Sequence, residues 1–384
     1  MTTAPGPAAP RLRVLLAGGG TAGHVNPLLA LADELTARPG GADVLVLGTA
    51  EGLESRLVPQ RGYELAVIPR VPFPRRPNAA ALRFPRDYRR ATALARRELA
   101  RLDADVVVGF GGYVSPPAYR AARSAGVPVV IHEQNVRPGL ANRQGARRAA
   151  AVALTFAETA LAARRGVTVH TGLPLRPDIA ELASLDAAGR AARRVEAATR
   201  LGLDPDRPVL LVTGGSLGAQ RINEAMADAA SDLTAAGVQV LHSAGRGKAA
   251  GVADAAAAAG PGYHLVEYLD DMASAYAVAD LVLGRSGAGT VCEQAALGLP
   301  GVYVPLAFGN GEQRLNVAGL EAAGGARVVA DADLTGDRVR DVVLPLLLDP
   351  AGLAAMASSA RGVGVVDGAS RLADLVTRVA GRTA

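Results

Sequence analysis

Three glycine-rich turns hold the residues whose types and spacing point to chemistry. They occupy residues 18–24, 214–219 and 285–293, and each follows an apolar run and precedes a helical stretch. Glycine keeps side chains away from the backbone, and the first turn of the following helix offers N–H groups to an anion. The turns therefore predict a ligand that carries phosphate, although the second turn alone is equally typical of an ordinary strand-to-helix connection.

Side chains within the second and third turns extend this prediction. Ser216 supplies a hydroxyl donor, and Arg285 supplies a cation that can neutralise phosphate. Glu293 falls early in the following helix, where a carboxylate can accept both hydroxyls of a ribose or can simply complement the helix dipole. Because both turns lie in the same half of the chain, they predict one shared nucleotide site.

His24 closes the first turn and is a candidate general base. The unperturbed pKa of histidine is about 6.5, and a helix N-terminus lowers it and keeps the imidazole neutral, as a base requires. The alternative is that His24 only hydrogen-bonds the turn.

The first turn also matches a dinucleotide fingerprint formally, through Gly18, Gly20 and Gly23. A nicotinamide site would also need an acid at the end of the second strand, to hold the ribose diol. The predicted second strand ends Leu47-Gly48-Thr49, with no acid at its tip. A dinucleotide-dependent oxidoreductase is therefore a disfavoured alternative.

Short apolar runs alternating with helical stretches position these turns. Predicted strands cover residues 12–17, 43–47, 105–109 and 127–131, and the pattern restarts at 209–213, 238–242, 281–283 and 302–304. Predicted helices include residues 27–36 and 117–124. Two βαβ series predict an α/β fold with two doubly wound, Rossmann-like domains facing across a cleft, with ligands beyond the strand carboxyl ends.

The predicted boundaries divide the chain into five parts. They are a disordered tail (residues 1–10), an N-terminal acceptor- and membrane-binding domain (11–170), a proline-containing linker (171–177), a C-terminal nucleotide-binding domain (178–365) and a C-terminal helix (366–384). The helix is expected to return to the N-terminal domain, and the alternative is that it packs on the domain it follows.

Composition narrows the class of protein. A chain of 384 residues favours two domains, and its formal net charge of +5 favours an acidic partner such as a nucleotide or an anionic membrane. The single cysteine, Cys292, excludes an internal disulfide, and no apolar run is long enough to predict a spanning helix. No metal is expected, because Asp270 and Asp271 are placed as a helix cap rather than as a metal-binding pair. No cofactor and no nucleic-acid partner are expected either.

Five motifs, in this order along the chain, resemble the MurG family of glycosyltransferases, which have the GT-B fold. They are Gly-Gly-Thr-Ala-Gly-His (19–24), Gly-Gly-Tyr-Val-Ser (111–115), His-Glu-Gln-Asn (132–135), Gly-Gly-Ser (214–216) and Arg-Ser-Gly-Ala (285–288). The resemblance runs from about residue 11 to the C-terminal helix. It implies an inverting transfer of N-acetylglucosamine (GlcNAc) from UDP-GlcNAc to the 4-hydroxyl of MurNAc-pentapeptide on undecaprenyl diphosphate, which converts lipid I to lipid II in peptidoglycan synthesis.

The resemblance also implies a set of residues that bind the donor, UDP-GlcNAc. Asn135 would hydrogen-bond the sugar, Leu269 would present its backbone to uracil, and Glu293 would hold the ribose diol. The remaining members are expected at the sugar or the diphosphate: Thr21, Ala22, Gly23, Arg176, Ser216, Arg285, Ala288, Gly289, Thr290 and Gln313. The chain departs from the family pattern at Ala22, Leu173 and Glu312, where the family has a glycine, an asparagine and a glutamine.

Two residues compete for the role of general base. His24 is the first candidate, and Glu133 of the His-Glu-Gln-Asn motif is its rival. Alternatively, Glu133 is a buried acid with a structural role.

A segment rich in arginine and apolar residues follows Arg70. Val71, Phe73, Leu82 and Phe84 alternate with cations at positions 70, 75, 76 and 83, and arginines follow at 86, 89 and 90. Apolar residues among cations are typical of a surface that docks on an anionic bilayer, and arginine also attracts the diphosphate of a lipid acceptor. We therefore expect peripheral attachment to the cytoplasmic face of a bacterial membrane, with a solvated loop and helix face as the alternative.

Two alternative functions are also compatible with a sugar-nucleotide site. One is another GT-B enzyme that transfers a UDP-sugar to a soluble natural product. The other is a binding protein that holds UDP-GlcNAc without releasing UDP.

Overall fold

In a computed structural model of the chain, the described residues are 11–74, 79–215, 218–307 and 310–381. The predicted tail (1–10), Arg75, Arg76 and Ser216 lie outside them. The chain forms two compact units, which we call unit 1 (Met1–Pro177 with Asp367–Ala384) and unit 2 (Asp178–Val366).

Each unit is built on one parallel sheet. The seven strands of unit 1 are arranged in the order β3-β2-β1-β4-β5-β6-β7. The six strands of unit 2 are arranged in the order β10-β9-β8-β11-β12-β13. The strands are β1 (Leu12–Ala17), β2 (Ala42–Gly48), β3 (Glu64–Val67), β4 (Val106–Gly109), β5 (Val129–Glu133), β6 (Ala151–Leu154), β7 (Val167–His170), β8 (Val209–Thr213), β9 (Gln239–Ser243), β10 (Tyr263–Val266), β11 (Leu281–Gly284), β12 (Gly301–Tyr303) and β13 (Ala326–Val328).

Helices connect these strands. They are α1 (Ala22–Ala37), α2 (Glu54–Gln60), α3 (Ala79–Leu102), α4 (Ser115–Ala125), α5 (Leu140–Gly145), α6 (Pro177–Ser184), α7 (Ala187–Leu201), α8 (Gln220–Ala235), α9 (Ala250–Ala259), α10 (Met272–Val278), α11 (Ala288–Leu297), α12 (Glu312–Asn316), α13 (Ala318–Ala322), α14 (Gly336–Arg338), α15 (Leu344–Leu347), α16 (Pro350–Val363) and α17 (Gly368–Val379). A 3₁₀ turn covers Asp331–Asp333, and a π-helical segment covers Val339–Val343.

Burial on both faces explains why the central strands form. Leu15 and Leu16 of β1 are both fully buried, but they belong to different hydrophobic clusters, one on each face of the sheet. A strand covered on both sides reads as a continuous apolar run, which is what the sequence shows. The two parallel sheets confirm the predicted fold of two doubly wound, Rossmann-like domains.

Some edge strands were not predicted, because they lack that signal, and the short buried inner strand β6 was also missed. Residues of β3 and β7 are half-buried or exposed, since each strand lies at one edge of the unit 1 sheet. Their polar residues interrupt the apolar run by which a buried strand is recognised in the sequence.

The C-terminal helix α17 packs on α1 within unit 1. Its apolar residues Leu372, Leu375 and Val376 are buried in the cluster that also contains β1. Arg38, directly after α1, donates a hydrogen bond to the carboxylate of Asp374 at 2.6 Å. The end of the chain thus completes the core of its first unit.

Among the described residues, no single helix combines the length and apolarity of a membrane span. One bent pair, Gly336–Leu347 with Pro350–Val379, meets the criteria of length and composition across an 87° bend.

Candidate active site

The first glycine turn forms one wall of a cleft in unit 1. It connects β1 to α1, whose N-cap residue is Thr21. The cleft has a volume of about 440 Å³, and its lining includes Thr21, His24, Glu54, Arg70 and Tyr113. The guanidinium of Arg70 lies 4.9 Å from the centre of the Tyr113 ring, a cation–π contact. Imidazole, carboxylate and guanidinium groups therefore share one concave surface.

His24 is half-buried at this cleft. Its Nδ1 lies 3.1 Å from the Thr21 hydroxyl oxygen. Burial lowers the pKa of His24, while the charge of Glu54 and the Gly19 backbone oppose that effect. The imidazole is consequently neutral at neutral pH, the state in which it can take up a proton.

Glu54 is a site residue that sequence reasoning missed. It begins α2, is 0% exposed, and accepts hydrogen bonds from the Gly20 N–H, the Thr49 N–H and the Thr49 hydroxyl. The prediction that no acid lies at the tip of the second strand is therefore wrong for the folded chain. Glu54 is not part of that strand, but the start of α2 places its carboxylate against the strand's tip at Thr49. Since those three donors occupy the carboxylate, it is not available to a ribose diol.

Glu133 ends β5 and is 1% exposed. Its Oε1 accepts the Asn135 N–H, and its Oε2 accepts the Gly139 N–H and an amide N–H of Asn142, each at 3.0 Å. Burial raises the pKa of Glu133, and these hydrogen bonds oppose that effect. The carboxylate thus organises the loop that carries Asn135.

The first turn and the loop after β5 converge on Gly111. A Cβ atom at Gly111 would lie 3.1 Å from His24 Nε2 and 3.6 Å from Asn142 Nδ2. Asn142 is held by the Tyr119 hydroxyl, which donates to its Oδ1 at 2.9 Å. The structure therefore brings His24 close to the network of Glu133, and Asn142 is a further member that the sequence did not indicate.

The methyl group of Ala22 is accommodated in the first turn. Asp103 is the only non-glycine residue with a positive φ in the described part of the chain, so Ala22 keeps an ordinary backbone.

In unit 2 the third glycine turn leads from β11 into α11. The N-cap residue Gly287 gives α11 no side-chain cap. Ser286 is 0% exposed, and its hydroxyl has no hydrogen-bond partner among the described residues. Uncapped N–H groups beside an unused hydroxyl suit an anion.

Glu293 lies on α11 beyond this turn. Its Oε2 accepts a hydrogen bond from the Tyr276 hydroxyl at 3.2 Å. The residues predicted around the phosphates, Ala288 to Thr290, form the first turn of the same helix. The structure thus keeps these predicted residues together on one helix.

Arg285 makes structural contacts within unit 2. Its guanidinium donates to the Val304 carbonyl at 2.9 Å and forms an ion pair with Asp331, and the side chain is only 13% exposed. Because the Val304 carbonyl and Asp331 already hold the guanidinium, the geometry favours a structural role over direct phosphate binding. Asp331 also pairs with Arg221 at 3.4 Å, so this cluster carries two cations and one anion.

The other predicted donor residues are distributed over both units. Leu269 lies in the loop between β10 and α10, where Asp271 caps α10 by accepting the Ser274 N–H. Gln313 lies on α12, and its Oε1 accepts the Leu306 N–H at 2.9 Å. Arg176 directly precedes α6 in unit 1.

Two Rossmann-like units with glycine turns at strand ends define a class of nucleotide-dependent enzymes, and comparison with known proteins specifies the family. The model of the glycosyltransferase family 28 N-terminal domain matches residues 14–154, and that of its C-terminal domain matches residues 209–372. The chain therefore belongs to glycosyltransferase family 28.

Relatives and a solved structure agree with this assignment. The UDP-N-acetylglucosamine–N-acetylmuramyl-(pentapeptide) pyrophosphoryl-undecaprenol N-acetylglucosamine transferase of Clavibacter michiganensis subsp. michiganensis is 58% identical over 365 residues, which cover 94% of this chain and 95% of the relative. The transferase of the same name from a Nocardioides species is 51% identical, over 95% of this chain and 97% of the relative. The crystal structure of Acinetobacter baumannii MurG matches with a TM-score of 0.75 and 30% identity, over 96% of this chain and 100% of that one. The predicted family, fold and UDP-GlcNAc-dependent transferase class are confirmed.

Proposed function

We propose that this chain transfers GlcNAc from UDP-GlcNAc to the 4-hydroxyl of MurNAc-pentapeptide on undecaprenyl diphosphate. The observation that carries this proposal is the 58% identity, over 94% of the chain, to a relative named for that transfer. The geometry of both units is compatible with its chemistry.

The reaction is a displacement at the anomeric carbon. A lone pair of the acceptor oxygen forms the new bond to C1, while the bond from C1 to the β-phosphate oxygen breaks and its electron pair leaves with UDP. The hydroxyl proton passes to a base and then to solvent. The enzyme must supply that base and stabilise the charge of the departing diphosphate.

His24 fits the base better than Glu133 does. A base needs a lone pair that faces the reacting proton, and the neutral imidazole of His24 lines an open cleft. Both oxygens of Glu133 are buried and already accept hydrogen bonds from its own loop. We therefore assign proton removal to His24, and the orientation of Asn135 to Glu133.

The donor binds to unit 2 through its diphosphate and ribose. The uncapped N-terminus of α11, with the hydroxyl of Ser286, stabilises the diphosphate without a metal ion. Glu293 accepts the ribose hydroxyls, and Leu269 presents its backbone to uracil. The remaining contacts to the sugar and diphosphate are those implied by the family resemblance: Thr21, Ala22, Gly23, Asn135, Arg176, Ser216 and Gln313.

Unit 1 docks on the membrane surface that holds the lipid-linked acceptor. Leu82 is 86% exposed at the start of α3, and the Phe73 and Phe84 rings pack at a tilt with centres 4.9 Å apart. A groove of about 580 Å³ lies between α3 and α4, and four exposed arginines line it: Arg89, Arg96, Arg120 and Arg123. Exposed apolar residues beside cations fit an anionic lipid surface, which we place on the cytoplasmic side of the membrane.

A UDP-release assay tests the proposed transfer. The enzyme is mixed with UDP-GlcNAc and a short-chain analogue of lipid I, without added metal. We expect UDP release that requires the analogue, with the disaccharide product detected by mass spectrometry. Tight UDP-GlcNAc binding without turnover would refute the proposal and identify a binding protein, and stabilisation by NAD but not by UDP would identify a different enzyme class.

A further inference from the structure

A buried carboxylate lies directly behind the first glycine turn, and the reaction proposed above does not use it. Glu54 Oε2 accepts the Gly20 N–H at 2.8 Å, and Oε1 accepts the Thr49 N–H at 2.9 Å and the Thr49 hydroxyl at 2.8 Å. Although burial opposes ionisation, these hydrogen bonds hold the pKa of Glu54 below its ordinary value. A full negative charge therefore sits beneath the turn.

The surrounding glycines make room for this carboxylate. A Cβ atom would lie 2.3 Å from Glu54 Oε1 at Gly19, 2.5 Å from Cγ at Gly48 and 2.0 Å from Oε2 at Gly52. Any side chain at these three positions would push the carboxylate out of place. The turn is thus built around Glu54 as much as around a ligand.

Two adjacent residues of the turn connect Glu54 to His24. The N–H that Glu54 accepts belongs to Gly20, and the next residue, Thr21, carries the hydroxyl that lies 3.1 Å from His24 Nδ1. The Thr21 carbonyl also accepts the backbone N–H of His24 at 3.1 Å. The carboxylate therefore fixes the backbone segment that holds the imidazole.

We propose that Glu54 is a positioning residue for His24. By fixing the Gly20–Thr21 backbone it holds the Thr21 hydroxyl against Nδ1 and so orients the neutral imidazole for proton uptake. Its negative charge also stabilises the imidazolium that forms when the acceptor hydroxyl is deprotonated. This inference rests on the proposed role of His24 as base.

Burial has the largest effect on the pKa of His24, and Glu54 is the charged group that opposes it. Glu51 and Arg70 also line the cleft, and α1 has no acidic residue in its first turn. Among these groups, only Glu54 contributes a charge effect on the pKa of His24, and that effect raises it.

The test is the pH profile of kcat/KM for the lipid I analogue in E54Q, E54D and wild type. Removing the anion lowers the pKa of His24, so the acid limb of the E54Q profile moves to lower pH, and kcat falls about 10- to 100-fold because the base is weaker and less well oriented. E54D keeps the negative charge, so the acid limb of its profile stays at the wild-type pH. Its side chain is one methylene shorter and cannot make the same hydrogen bonds, so kcat falls at least about fivefold. UDP affinity stays within about twofold of wild type in both variants.

The matched control is Glu98→Gln, which removes another buried, hydrogen-bonded carboxylate of unit 1, outside the cleft. It should leave the pH profile unchanged. An acid limb of E54Q that coincides with the wild-type limb would overturn the proposal. If E54Q fails to fold, E54D decides, because a wild-type kcat in that variant contradicts a positioning role.

A double-mutant cycle separates this inference from the proposed function. If Glu54 acts through His24, E54Q causes no further loss of kcat in an H24A background. If it still causes its full loss there, Glu54 does not act through His24, and the base assignment stands. If H24A alone keeps wild-type activity, the base assignment itself is wrong.

Discussion

The first glycine turn, in unit 1, and the third, in unit 2, both lead from the carboxyl end of a central strand into a helix, but their electrostatics differ. Behind the first turn the protein supplies its own anion, since Glu54 accepts the Gly20 N–H. At the third turn Asp331 is shared by two arginines, Arg285 and Arg221, and the Ser286 hydroxyl is unused among the described residues. The third turn is therefore prepared for a ligand anion, whereas the first is already occupied by a protein anion.

This difference indicates how the work is divided between the units. A second anion next to the buried Glu54 would be repelled, so most of the diphosphate charge is better stabilised at the third turn, and the first turn contacts mainly the sugar side of the donor. The same negative charge favours an imidazolium, so the first turn is the better place for a base. Two glycine turns of similar sequence thus serve different steps of one reaction.

The largest expected effect is the loss of the base from the first turn. His24→Ala should lower kcat by about 10²- to 10⁴-fold, the usual contribution of general base catalysis, in a UDP-release assay at pH 7.5. UDP affinity should be unchanged, because the nucleotide binds to unit 2. His264→Ala removes a half-buried histidine of unit 2 outside the candidate site and serves as the control. Weakened UDP binding in His24→Ala would break the proposed division between the units.

The converse variant lies in the third turn's helix. Glu293→Gln removes the charge that accepts the ribose hydroxyls, and a hydrogen bond to a charged group contributes about 1.5–3 kcal/mol. We therefore expect UDP to bind about 10- to 100-fold more weakly by isothermal titration calorimetry.

Glu224→Gln, at an exposed position of α8, is the matched control for that variant and should bind UDP normally. Wild-type affinity in Glu293→Gln would mean that Glu293 only complements the dipole of α11, and the ribose would need another acceptor.

Each unit contains one fully buried histidine, and these two residues predict how stability depends on pH. His132 in unit 1 and His242 in unit 2 are both fully buried, and burial lowers the pKa of each to about 4. Because the unfolded pKa is about 6.5, the unfolded chain binds more protons between these values, and stability falls as the pH decreases from about 6.5 towards 4. The expected loss at pH 5 is about 2 kcal/mol per histidine.

Urea unfolding at pH 7 and pH 5 measures this loss. In His242→Gln, the loss of unfolding free energy between pH 7 and pH 5 should be smaller by about the contribution of one histidine. An unchanged slope in that variant would show that His242 is protonated in the folded state.

The sequence predicted most inner strands and the glycine turns, but it missed the inner strand β6 and the contacts between distant residues. The bounds of β1 and β8 agree with the predicted 12–17 and 209–213, because strands buried on both faces have an unbroken apolar signal. Nothing local shows that Glu54 turns back to Thr49, or that Asp331 reaches across 46 positions to Arg285. Sequence reasoning identifies groups that can carry charge, but their partners come from tertiary packing.

The smallest expected effect concerns the surfaces of the two units. In the α3–α4 groove, none of the four arginines has an ion-pair partner among the described residues, whereas the groove of unit 2 that contains Arg194 has its guanidinium paired with Asp280 at 3.0 Å. Unpaired cations bind an anionic bilayer with about 1 kcal/mol each, so Arg120→Gln should weaken binding to phosphatidylglycerol vesicles about fivefold in a sedimentation assay.

The control is Arg193→Gln, which removes a cation of unit 2 that is already paired with Glu196, and which should bind vesicles like wild type. The difference between the variants should shrink at high salt, since screening acts on exposed charges. Equal weakening by both substitutions would mean that net charge alone drives attachment. In that case the groove would lose its distinction as the docking surface, although the separate roles of the two glycine turns would be untouched.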